Sequence, residues 1–124
     1  MTRVLIVDDQ PSFRAILREL LTQAGLEVVG EASDVPEAEV QVQARHPDLA
    51  IVDIMLPGPN GFEGTRRLKA LQPEMRVILV SAFGNFAQNF KNAATAAGAD
   101  NFVLKDDLEL GLVKGWAVGA AHAV

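Results

Sequence analysis

Residues 49–61 read LAIVDIMLPGPNG: four apolar residues in a row, an acid, and soon after it a loop rich in proline and glycine. A strand with one face in water alternates apolar and polar side chains, whereas an unbroken apolar run is buried on both faces. Such burial marks a parallel sheet covered by helices on either side. The pattern recurs as VLIV at residues 4–7, VILV at 77–80 and FVL at 102–104. With a weaker run at 27–32, strands are expected over residues 3–7, 27–32, 49–52, 76–80 and 101–104.

Helical patterns fill the gaps. Phe13, Ile16, Leu17, Leu20, Leu21 and Ala24 recur at helical spacing and lay one apolar stripe along a first helix. Gly25 offers that helix a left-handed stop. Asp34, Pro36 and Glu37 supply an N-cap, an early proline and a capping-box acid for a second helix. His46-Pro47 ends it, because a residue before proline avoids the α region. A third helix is expected over residues 61–71 with Leu68 and Leu71 inward, a fourth from about 85 to 97 ending at Gly98, and a fifth from Asp107 onward. Strand and helix alternate throughout, and short links between parallel strands require right-handed crossovers. The expected fold is α/β: a flavodoxin-like, doubly wound, five-stranded parallel sheet of order 2-1-3-4-5 with five helices. Residues 1–124 read as a single domain without repeats, low-complexity stretches or linkers.

With 49% hydrophobic residues the chain can bury a core, and no apolar run approaches the ~20 residues that span a bilayer. The short apolar run near the N-terminus leads into two acids and does not read as a secretory signal. Without cysteine there is neither a disulfide framework nor a thiolate metal site, which suits a reducing cytoplasm. A net charge of −5 argues against this segment wrapping nucleic acid by itself, since phosphate binding needs surplus Lys and Arg.

The chemistry lies where the strands end. Strand one runs into Asp8-Asp9, strand three into Asp53, strand four into Ser81 and strand five into Lys105. In an open α/β sheet those ends form one rim, and ligands bind at the topological switch point. Strands one and three are neighbours in the expected order, so Asp8 or Asp9 must approach Asp53. Crowded carboxylates raise one another's pKa, and a hard divalent cation such as Mg²⁺ resolves the conflict. A carboxylate can attack phosphorus to give an acyl phosphate, with Lys105 as a positive charge and Ser81 as a hydrogen-bond donor to a phosphoryl oxygen. Taken singly, each of these residues has a plainer role as a cap, turn, surface or core residue. Their joint occurrence at the matching strand ends is what carries the reading.

The segments VLIVDDQ, IVDIMLPGPNGFE, ILVSA and GADNFVLKD resemble the response-regulator receiver family over nearly the whole chain. The resemblance implies that Asp53 is the phosphoacceptor and that Asp8, Asp9 and Asp53, with the backbone carbonyl of Met55, hold Mg²⁺. It implies that Ser81 is the switch hydroxyl, Phe102 the switch aromatic and Lys105 the active-site lysine. The partner would be a sensor histidine kinase or histidine phosphotransfer domain, in the cytoplasm. LEVVGEASD further resembles receivers that precede a helix-turn-helix domain; DNA would be reached only through such an output domain, which these residues do not encode. The output would then be transcription.

Other functions fit less well. A haloacid-dehalogenase type of phosphatase needs an acid two residues after its nucleophile, where this chain has Met55. A receiver that has lost phosphoacceptance would lack one of the site residues, and none is missing. A flavodoxin-type flavin site would want a Ser/Thr/Gly-rich loop where DDQPS stands, and phosphate-loop and dinucleotide fingerprints are absent. Met55 and Phe83 are apolar beside the site, so slow loss of phosphate is expected. Gly111, Gly115 and Gly119 recur every fourth residue, which suits a frayed last helix or, less well, close approach to a neighbouring helix or second subunit; a homodimer stays open. Trp116 is expected to pack inward, periodicity does not decide which of Phe86 and Phe90 is core, and His46 and His122 have no assigned role.

Overall fold

The strand order and helix placement follow from which residues can be buried together. In a computed structural model, whose residues 1–117 are described, the elements are β1 (Arg3–Val7), α1 (Pro11–Gln23), β2 (Glu27–Ala32), α2 (Val35–Arg45), β3 (Leu49–Asp53), α3 (Gly61–Leu71), β4 (Arg76–Ser81), α4 (Ala87–Ala97), β5 (Asn101–Leu104) and α5 (Leu110–Lys114). Single 3₁₀ turns at Gly84–Phe86 and Lys105–Asp107 precede α4 and α5. All strand pairs are parallel, in the order β2-β1-β3-β4-β5. This is the flavodoxin-like fold expected. One irregularity occurs where β1 pairs Val4 with Val28 but Leu5 with Gly30, skipping Val29.

Alternation along the buried strands sorts the core into two layers. Leu5, Val7, Ala50, Val52, Val77 and Leu79 face α2, α3 and α4 through Ala38, Val42, Leu68 and Ala94. Val4, Ile6, Leu49, Ile51, Ile78 and Val80 face α1 and α5 through Leu17, Leu21 and Val113, joined by Trp116 just past α5. Continuous burial holds for the central strands: residues 4–7 and 49–52 are at most 1% exposed. It does not hold for β5, where Phe102 and Leu104 are half-buried, because an edge strand has a neighbour on one side only.

The helix ends obey local chemistry. Gly25 follows α1 with φ +85°. Asp34 accepts a hydrogen bond from the Glu37 backbone N–H at 2.9 Å and so caps α2. His46 closes α2 in the left-handed region, at φ +48°, which satisfies the exclusion of α geometry before Pro47 in an uncommon way. Four expectations need correction. Ile16 is 67% exposed, because the stripe facing the sheet is the narrower one through Leu17 and Leu21. Leu71, the last residue of α3, is 40% exposed, whereas Leu68 is fully buried. α4 begins at Ala87, because Gly84–Phe86 winds as a tighter turn. α5 stops at Lys114, so Gly111 lies within this helix and Gly115 is its C-cap. Gly119 and His122 lie outside the described residues. Trp116 is buried, and its carbonyl accepts from Arg76 at 2.6 Å. Phe90 packs inward while Phe86 is exposed. Among the described residues no helix is long and apolar enough to cross a membrane.

Candidate functional site

Parallel strands that stop in register bring their terminal residues to one rim. Asp8 follows β1, Asp53 and Ser81 end β3 and β4, and Lys105 follows β5. One oxygen from each of Asp8, Asp9 and Asp53 can lie within 4.8 Å of the others, which makes a group able to hold a divalent cation. Asp9, Gln10, Asp53, Met55, Ala82, Phe83 and Lys105 line a recess of about 230 Å³ there.

The electrostatics are tightly set. Asp8 is 1% exposed. Its Oδ1 accepts from the Gln10 backbone N–H at 2.8 Å. Its Oδ2 lies 2.8 Å from the Lys105 ammonium yet accepts no hydrogen bond, so that contact is ionic without hydrogen-bonding direction. A buried carboxylate oxygen left in that condition is a natural ligand for a cation. Asp53 accepts from the Met55 N–H at 3.2 Å and from Lys105 Nζ at 3.3 Å. Burial is the main influence raising its pKa from the ordinary 3.8 to about 6; Lys105 opposes the rise and Asp8 adds to it.

Ser81 is fully buried, and its Oγ accepts from the Phe83 N–H at 3.0 Å. Register pairs Leu79 with Phe102 and Ser81 with Leu104, so Ser81 and Phe102 belong to the same sheet face. Phe102 is half-buried and meets Phe90 edge-on, with ring centroids 6.4 Å apart. Met55 and Phe83, 54% and 49% exposed, stand at the recess. The Asp9 and Met55 side chains are solvent-accessible, unlike those of Asp8 and Asp53. His46 lies at the end of α2, opposite the strand ends that form the rim.

Three contributors escaped the sequence reading. Arg14 donates through Nη1 to the Asp8 backbone carbonyl at 2.6 Å, while its Nε pairs with Glu31 at 2.8 Å. Arg18 grips the other Glu31 oxygen at 2.7 Å. Burial pushes Glu31 up, but the two guanidinium groups together hold its pKa below the ordinary value. The ring of Phe13 carries the Lys105 ammonium 4.0 Å from its centroid. The available signal was the pair Arg14 and Arg18, one helical turn apart, with an acid on the strand beside β1; for Phe13 the apolar stripe masked any other role.

The family model for the response regulator receiver domain matches residues 4–113. The chain belongs to the response regulator receiver family. This receiver is 37% identical over 103 residues to the chemotaxis protein CheY of Thermotoga maritima, covering 83% of this chain and 84% of that one. It is 37% identical over 107 residues to the DNA-binding transcriptional activator DevR/DosR of Mycobacterium tuberculosis, covering 86% of this chain but only 48% of the relative. Among solved structures, a LuxR-family two-component response regulator from Aurantimonas superposes with a TM-score of 0.85 at 33% identity, over 99% of this chain and 86% of the other. The response regulator TrrA of Thermotoga maritima, solved in complex with Mg²⁺ and BeF, matches with a TM-score of 0.73 at 31% identity over 85% and 87%. The receiver resemblance read from the four segments is thus correct, and a signalling role follows.

Proposed function

We propose that this receiver takes a phosphoryl group on Asp53 from a phosphohistidine of a sensor histidine kinase or histidine phosphotransfer domain. The observation that carries the reading is the buried Asp53 carboxylate, which shares the Lys105 ammonium with the buried Oδ2 of Asp8. Asp8, Asp9, Asp53 and the Met55 carbonyl would hold Mg²⁺, which supplies neutralising charge for the phosphoryl oxygens. An Asp53 oxygen forms its bond to phosphorus as the bond from phosphorus to the imidazole nitrogen breaks, and the electron pair leaves with the imidazole. Lys105 offsets the charge on the transferred group, and the Met55 N–H keeps the carboxylate oriented. The receiver is thus a self-modifying acceptor that later loses its phosphate to water, rather than an enzyme turning over an external substrate.

The Ser81 hydroxyl is the conformational lever. In the present state its oxygen is engaged by the Phe83 N–H, so reaching a phosphoryl oxygen requires it to reorient. Phe102, on the same sheet face, rotates into the space released. The phosphoryl group favours this second state only through contacts that are better made there. The likeness to DevR/DosR, whose length this chain half spans, supports transcription as the output, reached through a DNA-binding segment. A cytoplasmic setting follows from the kinase partner.

Intact-mass measurement after incubation with acetyl phosphate and Mg²⁺ tests the assignment. One phosphoryl group is expected on the wild type and none on Asp53→Asn; equal incorporation in both overturns it.

A further inference from the structure

Three groups surround the Lys105 ammonium: Asp8 Oδ2 at 2.8 Å, Asp53 Oδ2 at 3.3 Å and the face of the Phe13 ring at 4.0 Å. The two carboxylates are the groups that a divalent cation would claim. An ammonium and a divalent cation repel one another across shared oxygens, so metal binding weakens both ionic contacts of Lys105. The aromatic face is the contact for which the metal does not compete. It attracts a cation through the ring quadrupole, and it does so best where water is partly excluded.

The ring is also well anchored. Phe13 lies in the first turn of α1, where Pro11 sets the helical backbone and the Arg14 N–H bonds the Gln10 carbonyl at 3.1 Å. The side chain packs against the core layer that includes Val4, Ile6 and Leu17, which restrains it. Lys105, in contrast, stands on a 3₁₀ turn beyond an edge strand, with a flexible four-carbon stem. We propose that Phe13 is a positioning residue for Lys105. Its ring holds the ammonium at the rim when the cation occupies the carboxylates, so that the charge is in place for the incoming phosphoryl group. An aliphatic side chain would fill the same core space but offer no such hold. The inference rests on the phosphoacceptor reading of Asp53.

The test reads Lys105 directly. A methylene group beside an aromatic face is shielded, so the Lys105 ε-methylene resonance in a ¹H–¹³C spectrum is expected upfield of its free-chain position. That displacement is expected in the wild type and in Phe13→Tyr, before and after saturation with Mg²⁺, and is lost in Phe13→Leu. Phosphorylation by acetyl phosphate at saturating Mg²⁺ is expected to slow several-fold in Phe13→Leu and to recover in Phe13→Tyr. The slowing disappears when both variants are made on a Lys105→Gln background. A free-chain resonance in the wild type, loss of the displacement on adding Mg²⁺, or a wild-type rate in Phe13→Leu overturns the proposal. Failure of the wild type to take up phosphate overturns the parent reading instead, and the resonance then decides alone whether the ring holds the ammonium.

Discussion

The carboxyl of Asp53 is held between opposing influences, and so is the phosphate it would carry. Burial and Asp8 disfavour its charge, while Lys105 and the Met55 N–H favour it. Once esterified, the same position decides how water reaches phosphorus. The approach runs through the recess that Met55 and Phe83 line, and neither side chain can accept a proton or orient a water molecule. Replacing Met55 or Phe83 with asparagine is therefore expected to speed loss of phosphate about three- to ten-fold, a modest fraction of what positioned proton transfer contributes elsewhere. The half-life of the phosphorylated protein, followed by mass, checks it; an unchanged half-life in both variants removes the idea. Arg14 acts at this scale too, tethering the Asp8 carbonyl to Glu31.

At the scale of elements, the link from β3 to α3 shapes the site more than either element alone. Gly58, at φ +75°, turns the chain, and the Gly61 N–H then bonds back to the Ile54 carbonyl at 2.8 Å. A Cβ on Gly61 would collide with the Asp53 carbonyl oxygen and lie 2.8 Å from the Ile54 Cα. Only glycine allows α3 to begin this close to the end of the strand that carries the acceptor. Gly61→Ala is expected to destabilise the protein by about 2–4 kcal/mol, the range of severe packing conflicts, and to slow phosphate uptake because Asp53 shifts with the displaced backbone. Urea unfolding and uptake from acetyl phosphate measure the two effects. Neighbouring Gly64 is confined as well, since a Cβ there would meet Val35 at 2.9 Å.

For the whole molecule, the site costs stability that the core must offset. The pKa of Asp53 rises from 3.8 in the ordinary state to about 6 in the fold. Between those values the folded protein keeps a proton that the unfolded chain has released, so stability falls as pH rises through that window. The curve levels off roughly one unit above the folded pKa, where the carboxyl is ionised in both states. In metal-free protein Asp53→Asn is therefore expected to gain about 1–2 kcal/mol at pH 7, less than the full shift implies because Lys105 loses a partner. The difference should vanish below about pH 3, where the carboxyl is protonated in both states. Thermal unfolding across pH with a chelator present measures it; a variant less stable than the wild type at pH 7 contradicts the account.

Unbroken apolar runs, capping residues and the acids, hydroxyl and lysine at strand ends were enough to read five parallel strands, their order and the rim at residues 8, 9, 53, 81 and 105. Burial on both faces and helix termination are local consequences of residue type, so linear order carries them. Which residues of an apolar stripe face inward was not legible: Ile16 and Phe86 are exposed while Leu17 and Phe90 pack inward. Nor were the ionic contact of Asp8 with Lys105, the Arg14–Glu31 tether or the ring beneath Lys105. Those features depend on ångström-scale distances between β1, α1, β2 and the end of β5. Such distances are set only when the layers pack, and no periodicity along the chain encodes them.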